Sequence, residues 1–210
     1  MTINHHLSDA LLLGYAAGTL PEAFSLVAAA HVSMCDDCRA RAASFDAVGG
    51  AMLETGMVQM SEGSLEAVLA RLTTPDTAAS IRKPGLLPAP LMDYVGGDLE
   101  AVNWRPIGMG VRQAILPTGM GAMARLLHIP AGRAVPDHGH RGTELTLVLQ
   151  GAFRDATDRF GPGDLEIATQ ELEHTPIAEA GQDCICLAAT DAPLRFRRLI
   201  PRLAQPFFRI

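Results

Sequence analysis

Hydrophobic positions follow two different periods along this chain, and the change falls near residue 92. Residues 1–72 read as helices. Ser8 caps a first helix over 9–17, which Gly18 stops. Thr19-Leu20-Pro21-Glu22 has the spacing of a capping box with proline in the first turn, and it opens a second helix over 20–33. A third runs from 36 to 55, with Gly49-Gly50 weakening its middle. Ser61 or Ser64 opens a fourth, with Leu65, Val68, Leu69 and Leu72 on one face. From Met92 the pattern shortens to apolar runs between glycine and proline turns, at 111–116, 124–129, 145–149, 164–168, 184–189 and 194–199. Evenly spaced short strands predict an antiparallel sandwich or barrel. Between the two patterns, residues 73–91 hold Pro75, Pro84, Pro88 and Pro90 without periodicity and read as a linker. The expectation is two domains, an all-α small helical bundle over 1–72 and an all-β unit over 92–210.

Composition narrows the function. The chain has 210 residues, of which 48% are hydrophobic, enough for real cores. No apolar run reaches the ~18 residues that span a bilayer. The start lacks a charged segment followed by a cleavable apolar one, so the chain is expected in the cytoplasm, without a membrane. The net charge of −6 is uneven. Residues 1–72 hold three arginines (Arg39, Arg41, Arg71) against eight acids, a balance of −5. That argues against direct nucleic-acid binding and suits a basic protein partner.

Two constellations carry chemistry. His31, Cys35 and Cys38 form H-x-x-x-C-x-x-C where the second predicted helix meets the third. A C-x-x-C at a turn lets two thiolates converge on one tetrahedral ion, and a histidine at the preceding helix end faces the same point. Two thiolates with two imidazoles suit zinc and leave the site near neutral. His6 is taken as the fourth ligand, with His5 as its competitor. A redox C-x-x-C is the alternative, but it expects a strand before the motif, and these flanks are helical.

In the second constellation, His138 and His140 lie two apart, Glu144 follows four residues later, and His174 comes after the turn Gly161-Pro162-Gly163-Asp164. Residues two apart on an extended strand share a face. Three nitrogens and one carboxylate make a metal shell. Four-coordinate zinc would be closed by it, whereas octahedral iron, manganese or nickel would keep open positions. Cys184 and Cys186 share a strand face and read first as small buried hydrophobes.

Residues 1–72 resemble the zinc-binding anti-sigma domain through H-x-x-x-C-x-x-C. The spacing G-x5-H-x-H-x3-E-x6-G, from Gly132 to Gly151, resembles the first cupin motif, which implies a cupin barrel or jelly roll. In the looser second motif His174 lies farther from Asp164 than usual. Together the halves resemble the ChrR-type anti-sigma factors. The resemblance implies a 1:1 complex with an extracytoplasmic-function sigma factor, held through the N-terminal domain and kept from RNA polymerase. It also implies zinc at His6, His31, Cys35 and Cys38, and a metal, zinc foremost, at His138, His140, Glu144 and His174. It further implies release of the sigma factor under singlet oxygen, sensed through the cupin, and no catalytic residues. The competing expectation is a cupin dioxygenase or isomerase with a helical appendage.

Overall fold

The computed structural model describes residues 2–56, 58–72 and 85–196. Four helices come first: α1 (Asp9–Ala16), α2 (Glu22–Met34), α3 (Asp36–Thr55) and α4 (Ser64–Leu72). Ser8 Oγ accepts the Leu11 amide at 3.3 Å and caps α1. The predicted capping box ahead of α2 does not form. Pro21 is the N-cap, Thr19 Oγ1 donates to the Gly14 carbonyl, and Glu22 turns outward. Its carboxylate accepts from Tyr94 Oη at 2.6 Å and from the Gly119 amide, which draws it away from the helix start. An Arg41–Asp9 ion pair joins α3 to α1.

Residues 73–84, most of the expected linker, lie outside the described residues. The rest of that span is packed. Leu87 and Leu91 are buried, and α5 (Ala89–Val95) starts behind Pro88. Proline suits that place, because its fixed φ matches a helix start.

Among the described residues twelve strands follow: β1 (Arg105–Gly108), β2 (Val111–Ile115), β3 (Met123–Ile129), β4 (His138–Gly139), β5 (Glu144–Gln150) and β6 (Phe153–Arg154), then β7 (Arg159–Phe160), β8 (Leu165–Ala168), β9 (Glu173–His174), β10 (Ile177–Ala178), β11 (Cys184–Thr190) and β12 (Arg195–Phe196). The main sheet runs β1-β2-β3-β11-β5-β8, all antiparallel. Two small sheets, β10-β6-β7 and β12-β4-β9, supply the rest of the barrel. The predicted strand over 194–199 is described only as β12; its remainder lies outside the described residues.

The alternation along the main sheet locates the core. Ile185, Leu187 and Ala189 of β11, Leu145, Leu147 and Leu149 of β5, and Ala124 and Leu126 of β3 join one cluster with Leu7, Leu12, Phe24 and Val27 of the helical part. The intervening residues, Cys184 and Cys186 of β11, Val148 of β5 and Ile129 of β3, form the other cluster, inside the barrel. Successive side chains leave opposite faces of a strand, so both faces of this sheet are covered. That explains why Cys184–Ala189 is continuously apolar. Helix α2 is the element on the outer face, against β3, β5, β11 and α5.

Candidate metal centres

The first centre forms where α2 stops and α3 starts. Cys35 is both the C-cap of α2 and the N-cap of α3, with extended φ/ψ of −114° and 110°. Its sulfur faces the Cys38 amide at 3.5 Å. His31, one turn back, places Nε2 3.3 Å from Cys38 Sγ. The segment ahead of α1 brings His6 Nδ1 to 3.3 Å from Cys35 Sγ and 3.7 Å from Cys38 Sγ. His5 points elsewhere, onto Phe160, Asp158 and Asp164. One donor atom from each of His6, His31, Cys35 and Cys38 falls within 4.8 Å of the others.

These spacings suit a tetrahedral ion. With metal–nitrogen near 2.1 Å and metal–sulfur near 2.3 Å, a tetrahedron places its donors roughly 3.3–3.8 Å apart. Burial pushes the His31 imidazole down to about 4, so it is neutral and keeps a lone pair. The same burial pushes the Cys38 thiol up in the absence of a cation. Two buried sulfurs and two imidazoles, with the Arg41 guanidinium 4.0 Å from Cys38 Sγ as a nearby charge, form a donor set that suits a divalent cation.

The second centre lies inside the barrel mouth. Strands β4 and β9 pair with His138 opposite His174. His174 Nε2 stands 3.2 Å from His138 Nε2 and 3.3 Å from His140 Nε2. Three converging nitrogens at that distance again match donors on one ion. Each outward ring nitrogen has a polar neighbour. His138 Nδ1 lies 2.8 Å from the Pro136 carbonyl, His140 Nδ1 3.1 Å from Glu144 Oε2, and His174 Nδ1 2.7 Å from Asp155 Oδ2. Glu144 is thus brought to the site, but against His140 rather than into the converging group. Its Oε2 is buried and has the His140 ring nitrogen as its neighbour without a well-formed hydrogen bond, so a cation would satisfy it. Burial favours the neutral carboxyl at Glu144, yet the three histidines outweigh it and hold its pKa down.

Two carboxylates here are absent from the sequence reading. Asp155 and Glu166 both face His174 Nδ1, at 2.7 and 3.2 Å. Burial by itself would lower the His174 pKa; the two carboxylates raise it. Glu166 had one visible signal, a charge at an inward position of the apolar strand β8. Asp155 had none, because an aspartate in a turn is ordinary.

A cavity of about 320 Å³ opens onto this centre, lined by Val111, Leu127, Phe153, Cys186, Arg125 and Glu166 among others. That is the lower end of small-molecule pocket sizes. Cys184 and Cys186 stand with sulfurs 3.5 Å apart, and the neighbouring thiol together with burial pushes Cys186 well above the usual thiol range. The motif glycines earn their place by geometry. Gly132 and Gly151 have φ of 72° and 68°, and a Cβ on Gly151 would sit 2.5 Å from the Asp183 carbonyl.

A family model described as the ChrR cupin-like domain matches residues 93–193. Over the full length of both chains, the protein is 68% identical to the anti-sigma-E factor ChrR of Cereibacter sphaeroides. The solved structure of Rhodobacter sphaeroides SigE in complex with the anti-sigma ChrR matches with a TM-score of 0.82 at 68% identity, covering 90% of this chain and 100% of that one.

Proposed function

The chain belongs to the ChrR family of anti-sigma factors, and from that premise we propose that it sequesters an extracytoplasmic-function sigma factor from RNA polymerase in a 1:1 complex. The observation that carries this reading is an apolar surface that the described residues leave exposed. On α4, Leu65, Val68, Leu69 and Leu72 recur at i, i+3, i+4 and i+7 and stay between 49% and 75% exposed. On α3, Val48, Met52 and Leu53 are also exposed. Exposed apolar stripes of this kind mark docking sites, and an amphipathic helix laid in a groove is a common mode. The acidic balance of residues 1–72 steers a basic partner towards it.

Zinc is assigned to His6, His31, Cys35 and Cys38, where the ion would cross-link three segments: the stretch before α1, the end of α2 and the start of α3. A metal, zinc foremost, is assigned to His138, His140 and His174, with Glu144 as fourth ligand after a side-chain rotation away from His140. Bound metal supplies cross-linking and charge neutralisation. Singlet oxygen attacks electron-rich imidazoles and sulfurs, and a ligand so oxidised binds metal less well. The sensing cupin then releases the sigma factor. The protein acts in the cytoplasm; no helix among the described residues is long and apolar enough to cross a membrane.

The test is co-expression with an extracytoplasmic-function sigma factor, followed by purification and metal analysis. A stoichiometric complex with two zinc ions per chain is expected. Photosensitised singlet oxygen should dissociate it, and His138→Ala/His140→Ala should resist dissociation. A chain that never retains the sigma factor would sink the anti-sigma reading. Dissociation unaffected by the histidine pair would sink the sensing role. Point variants are preferred to truncation, because α2 shares its core with the sheet and would be stripped bare.

A further inference from the structure

The two centres are joined by one stretch of the barrel, residues 155–166, and each end of it grips a residue at or beside a metal site. At the cupin end, Asp155 Oδ2 accepts from His174 Nδ1 at 2.7 Å. The other Asp155 oxygen accepts the amides of Thr157 and Asp158, at 2.8 and 3.1 Å, and so fixes the turn. Asp158, carried by that turn, places Oδ2 3.1 Å from His5 Nε2. A second arm runs along β8. Glu166 faces His174, the Leu165 amide donates to the His5 carbonyl at 3.2 Å, and Asp164 Oδ1 accepts the amides of Asn4 and His5 at 2.7 and 3.0 Å. Asp164 is itself buried and anchored by the Gly161 amide. The His5 ring rests on Phe160, with centroids 4.5 Å apart. The next residue is His6, whose Nδ1 stands 3.3 Å from Cys35 Sγ.

We propose that Asp155, Asp158 and Asp164 are positioning residues that form a bracket between the centres, so that attachment of His174 at one end holds His6 in place at the other. The inference rests on both centres holding metal. It assigns His5 a role other than ligand: it is the handle by which the barrel grips the segment carrying His6. Loosening His174 frees the turn that presents Asp158, and the His6 corner of the thiolate site loses part of its fixed geometry. Residues behind metal ligands commonly change metal affinity by about 10–100-fold when removed. A coupling passed through several contacts is expected to be smaller, on the order of 0.5–2 kcal/mol, about 2- to 30-fold.

The experiment loads the full-length chain with cobalt(II). Thiolate-to-cobalt charge transfer reports the Cys35/Cys38 centre, since neither of the other converging groups among the described residues, His138/His140/His174 and Asp155/Glu166/His174, contains sulfur. Decay of that band on adding EDTA gives the release rate. Asp155→Asn, which touches neither His5 nor His6, should speed release about 3- to 10-fold, and His5→Ala should do at least as much. The double variant should be no more than about 2-fold faster than the faster single, as for two cuts in one linkage. Ile129→Ala, which weakens the barrel core on β3, separated from β8 by β11 and β5, should leave the rate within about 2-fold. An unchanged rate in Asp155→Asn, multiplicative singles, or an equal effect from Ile129→Ala would overturn the bracket. A wild-type chain that never develops the charge-transfer band overturns the metal reading itself, and the bracket with it.

Discussion

At the scale of single residues, the histidine pair at positions 5 and 6 shows what sequence alone leaves open. Both precede α1 at nearly equal reach, and no spacing rule separates them. The structure turns His6 to the sulfurs and His5 to Asp158, Asp164 and Phe160. His6→Ala should therefore weaken zinc binding about 10- to 100-fold, whereas His5→Ala should still hold a full equivalent at stoichiometric zinc, as read by chelator competition. Cys35→Ser alters together a donor of the proposed zinc site and the residue that caps the end of α2 and the start of α3. It should leave the N-terminal centre empty, loosen the helices by several kcal/mol and abolish sigma binding, measurable by circular dichroism and pull-down. The groupings His31/Cys35/Cys38 and His138/His140 were legible because their members lie within a few residues of one another, whereas His174 joins the second through the pairing of β9 with β4. Asp155 and Glu166 were not legible, since what gives a carboxylate its role here is a histidine brought beside it by strand pairing.

At the scale of elements, helix α4 was predicted from its apolar stripe, and the stripe is real but faces outward. Periodicity reveals that a face exists; it does not say whether the partner is the same chain. Leu69→Arg should thus leave the melting temperature nearly unchanged and weaken sigma binding at least 10-fold, by titration calorimetry or competition. Loss of the fold, or unchanged affinity, would remove α4 from the docking surface. The capping-box spacing at Thr19–Glu22 was misleading for a physical reason. The Glu22 carboxylate has better partners in Tyr94 and Gly119, both far along the chain. Helix α5 was hidden by Pro88 and Pro90, read as linker prolines although Pro88 serves as a helix start.

At the scale of the whole molecule, the two periodicities marked two kinds of structure correctly but said nothing of how one packs on the other. Phe24, Val27 and the outward residues of β3, β5 and β11 belong to one core. Phe24→Ala should cost about 3–5 kcal/mol and lower the melting of helices and sheet together, as a single calorimetric transition. Two separated transitions would show that the shared core is not the cooperative unit. That core also has a history during synthesis. Strand β11 lies between β3 and β5, bonded to both, yet among the described residues it is the last long strand to leave the ribosome. Until residues 184–190 emerge, the main sheet cannot close and α2 has no finished floor to rest on. The nascent chain therefore shows its inner apolar faces as well as its docking stripe. Pairings this distant along the chain form slowly. A sigma factor made at the same time would meet the half-built chain first, and the complex has the chance to assemble before its inhibitor has finished folding.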